Sequence, residues 1–330
     1  MQKKYTYWLN SGKYSMLQKL TVILFGVLGF MMLARKVEPL VLGVWGLFLI
    51  ISSIIETSRN ALIRNGYILF INVKKKEDHS NVEYAAIAAN IIFSGIFIIL
   101  FVLLGSIFES ILNAPGLSLL LYYYSVTLVL LVPLSYIEIF LTARTNFKAI
   151  FWMYFARNSM QLSGIMFYYF TQRPITLESL ALIYAISAGI GLMVGWSYSR
   201  KYKAVTVTRN RRIVLEFVHY GKYVFGNNVF SLTFRSLDTL LTSSLISASA
   251  SAFYTTSTRI TNFVDLPSQV LGDIMFPRAA QSMRDGDRGG IKNIYEKSVA
   301  ATLTFTVPVI LVIFIFPKQI LLLLAGQSYV

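Results

Sequence analysis

Residues 84–105 read YAAIAANIIFSGIFIILFVLLG, and within them Ile96 to Leu104 is an unbroken apolar block. A helix needs about 20 mostly apolar residues to cross the hydrocarbon, because each backbone polar group must be satisfied inside the segment. A β-barrel strand would alternate in polarity over about ten residues instead. The stretch therefore reads as a membrane-spanning helix, and the reading extends outward from it. Comparable runs recur at 15–34, 39–58, 118–143, 151–171, 177–199, 223–247, 250–276 and 296–316, giving nine expected crossings. The expected fold class is an all-α integral membrane protein, a polytopic helical bundle.

Composition points the same way. Of 330 residues, 55% are hydrophobic and 14% charged, whereas ordinary soluble domains carry about 25% charge. A net charge of +15 would suggest nucleic acid in a soluble chain. Here the basic residues sit in short clusters between apolar runs, so they read as topology determinants and no nucleic-acid partner is expected. The absence of cysteine excludes disulfides, thiolate zinc sites and iron–sulfur clusters. Two histidines, His79 and His219, leave little for metal or acid–base chemistry. No phosphate loop, His-Glu-x-x-His or Gly-x-Ser-x-Gly motif occurs. The expectation is a protein that is not an enzyme, with no catalytic residue, no cofactor and no metal, any transport being driven by a gradient or by the substrate.

Alternate loops divide the basic residues 22 to 4. The rich set contains Lys3 and Lys4, Arg59 and Lys74 to Lys76, Arg144, Arg200 to Lys203, and Arg278 to Arg288; the poor set is Arg35, Lys36, Arg173 and Lys318. Because short cytoplasmic loops hold the excess of Lys and Arg, the N-terminus is expected inside. The first run is read as retained and not as a cleaved signal, since Lys19 lies within it. Aromatic clusters at run ends, Tyr122 to Tyr124 and Trp196 with Tyr198 among them, read as interfacial anchors.

Gly12-Lys13-Tyr14 recurs as Gly221-Lys222-Tyr223, an offset of 209 that also maps Gly43-Val44-Trp45 onto Ala252-Phe253-Tyr254. Six crossings lie within the offset, so the copies face the same way, a parallel repeat about the membrane normal. Two lobes are expected, 1–212 with six helices and 213–330 with three and a short apolar tail. Val330 then corresponds to Leu121, and the second lobe is expected to be truncated.

Ionisable groups within spans are expensive in hydrocarbon and are the default functional candidates. Arg157 lies six residues into the fifth span, either lining a cavity or reaching the interface. Glu138, after Pro133, reads as a carboxylate reaching the headgroups or pairing with Arg144. The seventh span carries Arg235 and Asp238, three apart and so on one helix face. They either neutralise one another or leave Arg235 partly available to an anion. The eighth span is equally polar, with Arg259 and Asp273 near one face, Asp265 elsewhere and a bend at Pro267. These stripes imply a hydrated lumen, while the third, fourth and ninth spans are expected to face lipid. Gly191-x-x-x-Gly195 reads as a packing motif.

In order and spacing, Gly12-Lys13-Tyr14, Leu42 to Leu47, Arg235-Ser236-Leu237-Asp238-Thr239-Leu240-Leu241, Ala252-Phe253-Tyr254 and Met275-Phe276-Pro277-Arg278 resemble the polysaccharide and O-antigen flippases. These belong to the multidrug/oligosaccharidyl-lipid/polysaccharide exporter superfamily. The resemblance implies two lobes around a central cavity. It implies alternating-access movement of undecaprenyl-diphosphate-linked oligosaccharide across the bacterial inner membrane, for O-antigen or other lipopolysaccharide assembly. Arg157, Arg235 and Arg259 would then meet the diphosphate, with Asp238, Asp265 and Asp273 in the same cavity. Implied partners are the lipid-linked oligosaccharide, membrane lipids, a coupling cation, and a polymerase or glycosyltransferases. Alternatives are a multidrug or lipid II exporter of the same superfamily, or a non-transporting scaffold of a synthesis complex.

Overall fold

The computed structural model describes residues 2–74, 78–202, 210–259 and 287–327. Among these the chain is almost wholly helical and no strand forms. The helices are α1 Gln2–Lys36, α2 Pro39–Val73, α3 His79–Ile111, α4 Leu117–Ala143, α5 Phe147–Phe170, α6 Leu177–Ser199, α7 Arg211–Arg235, α8 Leu237–Leu245, α9 over the described residues 248–259, α10 Arg288–Ile315 and α11 Pro317–Ala325. The all-α membrane class is thereby met. Among the described residues six helices are long and apolar enough to cross a bilayer: α1 from Lys13, α2 to Ile71, α3, α4, α6 and α10. The expected fifth crossing, α5, has the length at 24 residues, but Arg157, Asn158 and Gln161 dilute its apolarity. Most of the expected eighth span lies outside the described residues.

Local signals set the ends. Pro39 opens α2 at a position where a missing N–H costs nothing. Gly116, at φ 90°, turns the chain from α3 into α4 in a conformation that a Cβ would strain. The Glu109 carboxylate accepts from the Ser118 amide at 2.9 Å across that turn. Thr176 and Ser179 cap α6 reciprocally, each hydroxyl accepting from the other's amide.

Contacts group residues 1–252 into one compact unit and 253–330 into another. In the first, α1 packs on α5, α5 on α6, α6 on α4 and α4 on α3, with α2 against α3, α4 and α7. Helix α4 buries Leu120, Tyr124, Leu128, Leu131, Leu134 and Ile137 along one stripe, which corrects the expectation that the fourth span faces lipid. Hydropathy reports the cost of leaving water, and a helix surrounded by other helices pays as little as one surrounded by acyl chains. Tyr124, expected at the interface, is 1% exposed, whereas Tyr122 is 59% exposed.

Helix α7, expected to open the second lobe, lies along α2 and α3. Phe217 occupies the gap over Gly66 and Leu62 that over Gly221, where an added Cβ would come within 2.8 Å of either neighbour. A cluster of Leu62, Ile63, Tyr67, Ala85, Ala86 and Phe217 closes this seam. In the second unit α10 packs on α11.

Candidate functional site

The polar residues of the first unit converge where α2, α4, α5 and α6 meet. Glu56 is one turn before Arg59 on α2. Its Oε1 accepts from the Tyr184 hydroxyl at 2.5 Å and from the Tyr124 hydroxyl at 3.4 Å. Its Oε2 lies 3.5 Å from Arg157 Nη1, whose guanidinium also stands 5.3 Å from the Tyr184 ring centre. The two side chains retain 12% and 16% exposure. Trp45, Phe48, Tyr124 and Tyr184 pack edge to face and stacked behind it, with centroids 5.0 to 6.3 Å apart. An apolar, aromatic wall raises the strength of the ion pair by keeping bulk water off one side.

A turn further along α2, Arg59 is 1% exposed. It donates from Nη1 to Ser94 Oγ at 3.0 Å and from Nη2 to the Leu131 carbonyl at 3.5 Å. Next to it Asn90 donates to the Val132 carbonyl at 2.9 Å and to Ser135 Oγ at 2.8 Å. Both carbonyls lie just before Pro133, so α2 and α3 grip α4 beside its internal proline. The position corrects the assignment of Arg59 to an inner loop. The helix α2 runs on to Val73, and the residue faces the bundle.

Glu138 neither reaches headgroups nor pairs with Arg144: its Oε2 accepts from the Tyr154 hydroxyl at 2.8 Å within the α4–α5 seam. Arg144 stacks 3.4 Å from the Phe140 ring centre. Glu83, 3% exposed, accepts from the hydroxyls of Tyr67 and Tyr136, each at 3.1 Å.

Arg235 and Asp238 stand on helices other than those that form this cluster. The seventh span is not continuous. Helix α7 ends at Arg235, Ser236 has φ −100° and ψ 3°, and α8 begins at Leu237. Arg235 and Asp238 are therefore on different helices and do not share the single helical face that their spacing implied. Both are exposed. Within α8, Thr242 Oγ1 donates to the Asp238 carbonyl at 2.7 Å. Arg259 is half-buried in the second unit. Asp265 and Asp273 fall outside the described residues, as does Pro267. The small-residue motif of α6 is a packing device. A Cβ on Gly191 would lie 3.2 Å from the Arg157 Cβ, and one on Gly195 would lie 2.8 Å from Met153 Sδ.

Sequence reading missed Glu56 and Arg59 as members of the site. The available signal was the spacing Ile55, Arg59, Leu62, Ile63, Tyr67 and Phe70, which continues a helical stripe straight through the arginine.

Architecture and interior together define a multi-pass helical membrane protein. An inward-facing structure of a multidrug resistance MATE family transporter of the MOP superfamily matches at a TM-score of 0.76 and 12% identity, covering 94% of this chain and 73% of that one. An outward-facing structure of a multidrug resistance MATE family transporter of the same superfamily matches at 0.51 and 16%, covering 99% and 72%. The fold is thus shared with these transporters. The chain belongs to the polysaccharide biosynthesis protein family, which matches residues 32–330, in agreement with the resemblance read from its short motifs. No curated protein matches it.

Proposed function

We propose that the protein is a flippase that carries lipid-linked oligosaccharide, on an undecaprenyl-diphosphate carrier, across the bacterial cytoplasmic membrane for O-antigen or related surface polysaccharide. The supporting observation is membership of the polysaccharide biosynthesis family over residues 32–330. The N-terminus and the basic loops face the cytoplasm, following the distribution of Lys and Arg. Lobes 1–212 and 213–330 alternate in exposing a basic cavity, and the carrier passes from cytoplasmic to outer leaflet. Its partners are the glycosyltransferases that assemble the oligosaccharide before transfer or the polymerase that uses it afterwards, and a cation gradient supplies the drive.

Guanidinium groups match a diphosphate in charge and fork geometry. Of the three candidates, Arg235 is exposed and leads. Arg259 follows, with Asp238, Asp265 and Asp273 setting the local charge. Arg157 engages phosphate only when it leaves Glu56. That pairing also speaks against a multidrug exporter for organic cations, which needs an available acid in the first lobe: Glu56 is neutralised by Arg157 and Glu138 is tied to Tyr154. The test replaces Arg235 and Arg259 by Gln and measures surface polysaccharide in cells that depend on this protein. Loss of polysaccharide with build-up of the lipid-linked precursor on the cytoplasmic side is expected. Undiminished polysaccharide at normal protein level overturns the proposal.

A further inference from the structure

The outer face of α6 carries a feature that the flippase reading does not use. Leu192, Met193, Trp196, Ser197 and Arg200 line a surface groove of about 410 Å³. Met193 is 73% and Trp196 51% exposed, while Gly191 and Gly195 turn the opposite face of the same helix into the bundle. Gly189, one turn earlier on the same face, has open space beside it, since a Cβ there would meet nothing within 4 Å. From Gly189 to Arg200 the track is about 16 Å long at 1.5 Å per residue, close to the length of an acyl chain.

Charge collects at one end of it. The Arg200 guanidinium stands 6.0 Å from the Trp196 ring centre and Lys201 Nζ 5.6 Å from that of Tyr198. Lys148, at the start of α5, is exposed at the same end of the α5–α6 pair. Arg144 is close by, 5.4 Å from the Tyr202 ring centre, and Tyr202 accepts from Asn146 at 3.1 Å. Residues 139–202 hold a single carboxylate, Glu178, which lies in the first turn of α6, about 33 Å away along the helix. The C-terminus of α6 presents about half a negative charge, which opposes an anion. Arg200 and Lys201 supply two full positive charges against it. Basic residues beside an apolar groove at a membrane boundary are a recognition pattern for anionic headgroups.

We propose that this groove is a specific site for an anionic phospholipid of the phosphatidylglycerol type. Its acyl chain lies along Leu192, Met193 and Gly189, its phosphate meets Arg200 and Lys201, and the Trp196 ring lies at the boundary between them.

The test uses the purified full chain in detergent, with bound lipid counted by native mass spectrometry during titration with phosphatidylglycerol or phosphatidylcholine of identical acyl chains. Wild type retains phosphatidylglycerol preferentially. Removing each basic charge weakens that preference about fivefold, so R200Q/K201Q lowers it about 25-fold. R200K/K201R keeps it, and so does Arg173→Gln at the other end of the molecule. Met193→Trp, which fills the groove, lowers retention of both lipids. Inorganic phosphate at equal concentration does not displace the lipid. The proposal is overturned by equal retention of the two lipids in wild type, by a preference that survives R200Q/K201Q, or by displacement with inorganic phosphate alone.

Discussion

The interior shared by α2, α4, α5 and α6 and the break between α7 and α8 handle charge in opposite ways. In the first, Arg157 is held by Glu56, Arg59 by Ser94 and a backbone carbonyl, and Glu138 by Tyr154. In the second, Arg235 and Asp238 are exposed and a helix end separates them. A buried charge costs several kcal/mol unless it is paired and hydrogen-bonded. The first region supplies partners from within, a carboxylate for Arg157 and a hydroxyl and a carbonyl for Arg59, so these cations are already committed. The second exposes a guanidinium at a helix terminus. The difference also explains why charge in a span is ambiguous evidence of function until its partners are known.

Removing the acid from the first region tests this most severely. Glu56→Gln strands Arg157 beside three tyrosines, and breaking a pair of this kind costs about 3 kcal/mol, the lower end of the range because both partners keep some exposure. Denaturant unfolding in detergent measures it. The double change Glu56→Gln with Arg157→Gln recovers most of the loss, because no uncompensated cation remains. A cost for Glu56→Gln no larger than that for Arg235→Gln would erase the contrast.

Next comes the seam that fixes α7 to α2. Gly66→Ala places a methyl 2.8 Å from Phe217 Cζ, and that ring is fully buried with Phe70 at 5.6 Å, so it has little room to yield. Overpacking of this type costs about 1 to 3 kcal/mol. The loss should appear in the same unfolding assay and as weaker cysteine crosslinking between α2 and α7. Arg235→Gln, by comparison, changes stability by less than about 0.5 kcal/mol, as expected of an exposed side chain, while polysaccharide output falls.

The spans were legible because about 20 apolar residues in a row have few other uses, and α3, α4 and α6 lie close to where the hydropathy put them. What hydropathy does not encode is which side of a span meets another helix. The residues of α4 are apolar whether acyl chains or α6 surround them, so its central position was invisible. Arg59 was misplaced for a related reason: an arginine at the edge of an apolar run resembles a loop charge until the helical stripe is followed past it. The Glu56–Arg157 pair joins residues 101 apart in sequence, and no local pattern announces such a contact. Nor does residue spacing announce Ser236, the single residue that parts α7 from α8.

The smallest effect concerns the end of the same seam. Lys74, at the C-cap of α2, donates to Glu216 Oε2 at 2.7 Å, and Arg212 Nε donates to Oε1 at 3.1 Å. The hydrogen bond from Lys74, more than any other contact, holds the Glu216 carboxyl below the usual carboxylate range. A carboxyl with a lowered folded-state value stabilises above its unfolded value and loses that contribution as pH falls through the folded one. Wild type should therefore exceed Glu216→Gln in unfolding midpoint at pH 7, by little because the pair is solvated and screened by salt, and the gap should close under acid. A gap that widened on acidification, or one as large as that of Gly66→Ala, would mean that charge and not the Phe217 contact keeps α7 against α2.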